Sequence, residues 1–213
     1  MPDFSIETAA RSAGVAGAIV GVDEVGRGPW AGPVFACAAL MFERDVPDDL
    51  VAALADSKTL PRKTREALAP RIAAAGIVAL GEASVEEIDR FNILGASLLA
   101  MARATDALAA MLGAPPALAL VDGNRAPKLC CPAETVVKGD GLSVSIAAAS
   151  IFAKVARDRH MAGLATLHPG YGWERNAGYG VEEHKQGLQR LGPTIHHRRT
   201  FAPVAKLLTQ GDS

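Results

Sequence analysis

The sequence predicts one α/β domain built on a mixed sheet, and two patterns carry that prediction. Two apolar runs, residues 16–24 and 33–42, flank the turn-forming segment 26–32 (GRGPWAG), which favours an antiparallel hairpin. Later strand-like runs alternate with helical spacing, which favours a parallel part of the same sheet. A chain of 213 residues can bury a single stable core, so one domain is expected.

The remaining elements follow from the spacing of apolar residues along the chain. Three more strands are predicted as short apolar runs bounded by turn residues, at 76–84, 117–123 and 134–140. Helices are predicted where apolar residues recur every three or four positions, at 92–112, 143–167, 181–190 and 203–208. The segment 168–179 is rich in glycine and aromatic residues, and we expect it to be irregular.

Composition excludes several classes of protein. Hydrophobic residues make up 49% of the chain and charged residues 21%, which argues against disorder. The three cysteines are too few and too irregularly spaced for a disulfide framework or a cysteine-based metal site. Neither a signal peptide nor an apolar run of membrane-spanning length is visible. We therefore expect a cytoplasmic protein with no membrane association.

The charge distribution is more informative than the net charge of −1. Basic residues are concentrated between residues 56 and 71 and again between 174 and 199. Basic patches around an acidic site are typical of nucleic-acid enzymes, although many other proteins share this pattern.

Acidic residues stand at the predicted ends of three strands. Asp23 and Glu24 close the first strand, Asp122 the fourth and Asp140 the fifth. Ligand sites gather at such strand ends, and clustered carboxylates favour hard cations such as Mg²⁺ or Mn²⁺. Two such ions can drive phosphodiester hydrolysis.

A simpler alternative stays open for some of these acids. Asp122 and Asp140 each precede a glycine, and Asp-Gly is a common turn pair. Asp23 and Glu24 are harder to explain as turn residues, because two adjacent acids after an apolar run are unfavourable unless something binds them.

Nine segments, in order, resemble the motifs of the ribonuclease HII family. They are GVDEVGRGPWAGPV (21–34), DSKTL (56–60), EEIDRFNILGAS (86–97), LVDGNRAPKL (120–129), VVKGD (136–140), SIAAASIFAKVARDRHM (145–161), YGWERNAGYG (171–180), EEH (182–184) and GPTIHHRRTFAPV (192–204). The resemblance implies a ribonuclease H-like fold, with a five-stranded mixed sheet flanked by helices and a helical C-terminal appendage. The catalytic domain would then span residues 16–213, after an N-terminal extension at 1–15.

The resemblance also implies the chemistry. Four carboxylates, Asp23, Glu24, Asp122 and Asp140, would bind two Mn²⁺ or Mg²⁺ ions, with Asp23 bridging them. Hydrolysis would leave a 3′-hydroxyl and a 5′-phosphate. The implied substrates are RNA/DNA hybrids and DNA duplexes that contain ribonucleotides. We expect a monomer with no obligatory protein partner.

The same resemblance implies which residues select the substrate. Gly26, Arg27 and Gly28 would approach a ribose 2′-hydroxyl, and Tyr179 would pack on the following sugar. The alternatives are that the glycines only form the turn and that Tyr179 only fills space. One departure is Ala177, where family members often carry a lysine.

Phosphate contacts are expected from three further residues. These are Lys58 in the DSK segment, Ser150 and Lys154. Ser150, Lys154 and Arg157 would share one helix face, suited to following a nucleic-acid backbone. Alternatively, Lys154 forms an ion pair with Asp158. His184, His196 and His197 are expected to be packed or to face phosphates, without a catalytic role.

Two other function classes compete with this hypothesis. A binding-only member would have lost its chemistry, but all four acids are present. A DNA nuclease of the same fold would have no use for a 2′-hydroxyl sensor.

Overall fold

A five-stranded mixed sheet forms the centre of the computed structural model, which describes residues 1–54 and 60–210. Its strands lie in the order β3-β2-β1-β4-β5. The first three pair antiparallel, and β4 and β5 join in parallel to β1. The strands are β1 (Ile19–Val25), β2 (Val34–Met41), β3 (Gly76–Ala83), β4 (Leu118–Asp122) and β5 (Ala133–Val136). The predicted hairpin and mixed sheet are confirmed.

Helices cover both faces of the sheet and form the C-terminal appendage. They are α1 (Ser5–Ser12), α2 (Asp48–Leu54), α3 (Arg62–Ala74), α4 (Val85–Leu112), α5 (Val144–Leu167), α6 (Trp173–Asn176), α7 (Glu182–Leu191) and α8 (Ala202–Gln210). The first three were not predicted from the sequence, nor was α6, which lies in the segment 168–179 that was expected to be irregular. In α3 only Leu68, Ala69 and Ile72 are buried and Pro70 lies inside the helix, so its apolar periodicity is weak.

Helix α5 packs directly on the hairpin strands β1 and β2. Gly21 makes this possible, because a Cβ there would lie 2.2 Å from the backbone nitrogen of Ile146. The N-terminal segment covers the start of α5. Glu7 of α1 is fully buried, and its Oε1 accepts hydrogen bonds from Ser143 Oγ at 2.7 Å and from the Ser145 amide at 3.2 Å. An acid at this position also favours the helix N-terminus electrostatically.

Helix α4 covers the opposite face and is interrupted near its start. Asn92 has φ 58° and ψ 171°, and its Oδ1 accepts hydrogen bonds from the amides of Leu94 and Gly95. The longer part of α4 thus begins anew at this cap. In the part of the chain that the structure describes, α4 is the one helix long and apolar enough to span a membrane, but it packs along β2 and β3.

Candidate active site

Strand register brings two of the predicted acids together. The parallel pairing of β1 with β4 sets Val22 opposite Val121, so the next residues, Asp23 and Asp122, come side by side. Asp122 Oδ1 also accepts a hydrogen bond from the Gly139 amide at 2.6 Å. This bond draws the turn that carries Asp140 toward the end of β4.

Two details of the predicted strand ends were wrong. Strand β1 continues to Val25, so Asp23 and Glu24 lie inside it rather than at its end. Strand β5 ends at Val136, and Asp140 lies beyond it in a 3₁₀ turn, Gly139–Gly141. Lys138, with φ 58°, turns the chain between strand and 3₁₀ turn, which is why the strand cannot extend to the acid.

Asp23 occupies an electrostatically unfavourable position. Its side chain is buried, and this burial, together with the negative charge of Glu24, raises its pKa well above the ordinary value of 3.8. A hydrogen bond with Ser150 acts in the opposite direction, while the charge of Asp122 raises the pKa further. Asp23 Oδ1 also accepts from the Glu24 amide at 2.7 Å.

The donor set fits a hard divalent cation. All four side chains offer carboxylate oxygens, and a cation among them would relieve the repulsion around Asp23. Arg27 already compensates part of this charge, since its Nη1 lies 3.1 Å from Glu24 Oε1. Within residues 1–54 and 60–210, no three acidic, histidine or cysteine side chains lie at metal-coordinating spacing.

A cavity of about 230 Å³ opens beside these acids. Glu24, Arg27 and Asp122 line one side of it, and the longer part of α4 lines the other. Asn124 and Arg125 also line the cavity and were not singled out from the sequence, although they follow the Asp122-Gly123 pair in the LVDGNRAPKL segment. Polar groups from the loop after β4 thus reach the space where a substrate can lie.

The turn at Gly26–Gly28 lies next to Tyr179, and we call these four residues the reading corner. A Cβ at Gly28 would lie 3.5 Å from Tyr179 Cε1, which is ordinary van der Waals contact. Gly26 has φ 94°, in the left-handed region, so the turn itself needs this glycine. The turn interpretation is thus confirmed for Gly26, and the approach of a ligand to this backbone stays a prediction.

Two buried arginines hold the reading corner in place. Arg157 donates hydrogen bonds to the carbonyl oxygens of Ala31 at 3.0 Å, Pro33 at 2.9 Å and Ala177 at 2.9 Å. Its side chain is fully buried, so the prediction that it follows a nucleic-acid backbone was wrong. Burial lowers its pKa to about 10, which leaves the guanidinium charged at neutral pH.

The second arginine, Arg198, was not predicted to have a role. It donates to the carbonyl oxygens of Gly26 at 2.5 Å, Arg27 at 2.9 Å and Gly32 at 2.9 Å. Burial lowers its pKa to about 9. Both arginines satisfy carbonyls of a turn that would otherwise present unpaired acceptors in the interior.

The predicted substrate-binding residues lie around this corner. Tyr179 is 40% exposed, and Lys154 Nζ lies 5.7 Å from the centre of its ring. Lys154 also forms the alternative ion pair with Asp158, at 2.6 Å. Ser150 is engaged with Asp23. Lys58 lies outside the described residues, and the substrate contacts of all these side chains stay predictions.

Ala177 stands where many family members carry a lysine. Its φ is 49°, in the left-handed region, and its carbonyl oxygen accepts the hydrogen bond from Arg157. Its backbone therefore contributes to the corner, although its methyl group cannot contact a phosphate as a lysine would.

The histidines are mainly packing residues. His184 and His197 are fully buried, and His196 is partly buried with its ring centre 4.9 Å from that of His168. For His184 and His197 this confirms the expectation of packed side chains.

Known sequences are similar to this chain over nearly its whole length, including the residues of this site. The sequence model of the family described as ribonuclease HII covers residues 20–204. Ribonuclease HII of Paramagnetospirillum magneticum is 56% identical over 208 residues, covering 98% of this chain and 99% of the relative. Ribonuclease HII of a Jannaschia species is 57% identical over 208 residues, with coverage of 97% and 98%.

Solved structures share the fold at lower identity. The ribonuclease H2 from Pyrococcus horikoshii OT3 superposes with a TM-score of 0.67 at 23% identity, covering 92% of this chain and 99% of that one. The structure of Bst-RNase HIII in complex with Mn²⁺ gives a TM-score of 0.70 at 18% identity, with coverage of 98% and 81%.

Proposed function

Because the chain belongs to the ribonuclease HII family, we propose that it hydrolyses the phosphodiester bond 5′ of ribonucleotides embedded in duplex DNA. Family membership makes it a metal-dependent endoribonuclease that acts on RNA in RNA/DNA hybrids. The further step to single ribonucleotides rests on one observation: Arg27 of the reading corner lines the same cavity as Glu24 and Asp122. Such cleavage would begin the removal of ribonucleotides during DNA replication and repair.

The four carboxylates account for the hydrolysis. Asp23, Glu24, Asp122 and Asp140 would hold two Mn²⁺ or Mg²⁺ ions. When bound, such ions activate water for attack and stabilise the leaving oxygen. The Gly139 amide donates to Asp122 Oδ1 at 2.6 Å and so restrains that carboxylate. The products would be a 3′-hydroxyl and a 5′-phosphate.

The reading corner accounts for the selection of RNA at the cut. At Gly26–Gly28 a nucleotide can approach the backbone closely enough to hydrogen-bond its 2′-hydroxyl. The ring of Tyr179, which is 40% exposed and lies beside Gly28, would pack on the next sugar and favour a deoxyribose there. Lys154, close to the same ring, is placed to meet the adjoining phosphate.

A cleavage assay tests this proposal. A labelled DNA duplex with one ribonucleotide is incubated with Mn²⁺ or Mg²⁺, beside an all-RNA/DNA hybrid and an all-DNA duplex. The expected result is a single cut 5′ of the ribonucleotide, abolished by chelator. Asp122→Asn should reduce cleavage at least about 100-fold, since it removes a ligand while Asn can still accept from the Gly139 amide.

Three outcomes would contradict the proposal in different ways. If only the hybrid is cut, the junction-reading role of Arg27 and Tyr179 is wrong. If the all-DNA duplex is cut equally well, the protein is a DNA nuclease of the same fold. If folded protein binds these duplexes and cuts none of them, it is a binding-only member of the family.

A further inference from the structure

A buried chain of hydrogen bonds ends at the backbone of Tyr179. The Nδ1 of His184 lies 3.0 Å from the carbonyl oxygen of Tyr179. Since a carbonyl oxygen only accepts, the proton of His184 must sit on Nδ1, and its Nε2 must be an acceptor. Tyr179 lies between α6 and α7, and His184 lies inside α7. The Tyr179 amide donates to the Asn176 carbonyl and the Tyr179 carbonyl also accepts from the Val181 amide, each at 2.9 Å, so His184 adds the side-chain bond to this backbone.

The neighbours of His184 are consistent with this tautomer. Trp173 Nε1 donates to His184 Nε2 at 3.1 Å, and His197 Nε2 lies 3.1 Å from the same atom. The Nδ1 of His197 accepts from the Thr194 amide at 2.9 Å, so its own proton is on Nε2 and points to His184. Every ring nitrogen of the two histidines thus has a defined donor or acceptor role.

Both histidines are neutral in this arrangement. Burial lowers the pKa of His184, and burial and the neighbouring histidines lower the pKa of His197 to about 3. Neutral rings are what the hydrogen-bond chain requires, because a doubly protonated His184 could not accept from Trp173.

The same part of the chain also fixes the other half of the reading corner. We call residues 194–200 the C-terminal strap. Within it, His197 reaches His184, while Arg198 holds the carbonyls of Gly26 and Arg27. Backbone hydrogen bonds add to this, since the His196 carbonyl accepts from the Gly32 amide at 2.8 Å and the Trp30 carbonyl accepts from the Arg198 amide at 2.8 Å.

We propose that His184, held by His197, is a positioning residue that sets Tyr179 against Gly28 and so determines the preference for a ribonucleotide followed by DNA. This inference rests on the proposed function of Tyr179. His184 touches neither substrate nor metal ligands in this scheme and acts only through the backbone of Tyr179. Loss of its Nδ1–H bond lets Tyr179 move from Gly28, which weakens junction selection more than hydrolysis.

Amide side chains provide a test with opposite expectations at the two positions. Asparagine can place an N–H near the Nδ1 position of histidine, and glutamine near the Nε2 position. At residue 184, His184→Asn keeps the donor to Tyr179 and His184→Gln loses it. At residue 197 the order reverses, because His197→Gln keeps the donor to His184 and His197→Asn loses it.

The readout is the ratio of kcat/KM for a duplex with one ribonucleotide to kcat/KM for an all-RNA/DNA hybrid. We expect this ratio to fall about tenfold in His184→Gln and His197→Asn, because a displaced Tyr179 no longer positions the junction for cleavage. It should stay near the wild-type value in His184→Asn and His197→Gln. A matched control is Tyr171→Phe, which removes a hydrogen bond to the Gly192 carbonyl (2.7 Å) in the same cluster without involving Tyr179.

The outcomes separate this inference from the function on which it rests. If the Asn and Gln variants give the same ratio of kcat/KM values at both position 184 and position 197, the histidines only support the core and the inference is wrong. The inference is also wrong if Tyr171→Phe lowers this ratio as much as His184→Gln and His197→Asn do. Thermal unfolding identifies any variant that fails to fold. If a variant at one histidine fails, the Asn and Gln variants at the other histidine test the inference. If wild-type protein leaves the single-ribonucleotide duplex uncut, the proposed function itself fails, together with this inference.

Discussion

The guanidinium of Arg198 donates a hydrogen bond to the carbonyl oxygen of Gly26 at 2.5 Å, across a sequence separation of 172 residues. The same side chain is fully buried and also reaches Arg27 and Gly32. The motif that most clearly marks the family therefore owes its shape to a residue near the other end of the chain.

Arg198→Lys should destabilise the protein strongly. Lysine keeps the charge but cannot match the planar fork that reaches three carbonyls, so buried acceptors lose their partners. We expect the free energy of unfolding to fall by about 3 kcal/mol, measured by urea denaturation. Arg199→Lys is the matched control, because Arg199 is exposed and, among the described residues, its guanidinium has no hydrogen bond while its amide donates to Asp89. An equal effect of both changes would contradict the role assigned to Arg198.

Alanine at the two motif glycines should separate folding from substrate selection. Gly26→Ala places a Cβ 2.1 Å from Arg157 Nε in a left-handed backbone, so we expect a loss of at least about 1–2 kcal/mol in unfolding free energy. Gly28→Ala meets only Tyr179 at 3.5 Å and should change stability by less than about 0.5 kcal/mol.

Gly28→Ala should nevertheless reduce cleavage of the single-ribonucleotide duplex, because the new methyl group occupies the approach to the reading corner. Denaturation and the cleavage assay, run on both variants, check this pair of expectations. Unaltered junction cleavage by a stable Gly28→Ala protein would show that this surface does not contact the substrate.

Metal binding should stabilise the wild-type protein through its carboxylates. At 100 times its dissociation constant, an ion that binds only the folded state adds about 2.7 kcal/mol to unfolding free energy. Asp122→Asn should lose most of this gain in a thermal shift titration with Mn²⁺. Without metal, the variant should be at least as stable as wild type, since it removes a charge that disfavours ionised Asp23. An undiminished Mn²⁺ shift in Asp122→Asn would place the ion elsewhere.

Stability should fall as pH decreases below about 6.5, and His197 should contribute to that fall. Its folded-state pKa of about 3 lies below the unfolded value of 6.5, so the unfolded chain takes up its proton first. The stabilisation is present above about pH 6.5 and is lost as pH falls toward 3, at up to about 1.4 kcal/mol per pH unit.

His197→Gln removes this titration, so its unfolding free energy should depend less steeply on pH between about 6 and 5. His184, whose pKa burial also lowers, and the carboxylates remain in both proteins, so the difference in slope isolates His197. Parallel pH profiles of the two proteins would show that His197 titrates normally in the fold.

The sequence predicted the sheet and the acids better than the residues that hold the site. Apolar runs bounded by turn residues locate β1, β2 and β4. The parallel register of β1 and β4 then brings Asp23 beside Asp122. Arg157 and Arg198 could not be predicted, because an arginine among polar neighbours is typical of an exposed surface. Only the folded chain shows that carbonyls from distant segments surround both guanidiniums.

The dependence of Gly26 on Arg198 also imposes an order on biosynthesis. Arg198 is synthesised 172 residues after Gly26. A chain that ends before Arg198 would carry all four acids but would lack the guanidinium that holds the carbonyls of Gly26 and Arg27. Under the proposed function, such a chain would have the acids of the nuclease centre before it could discriminate between RNA and DNA.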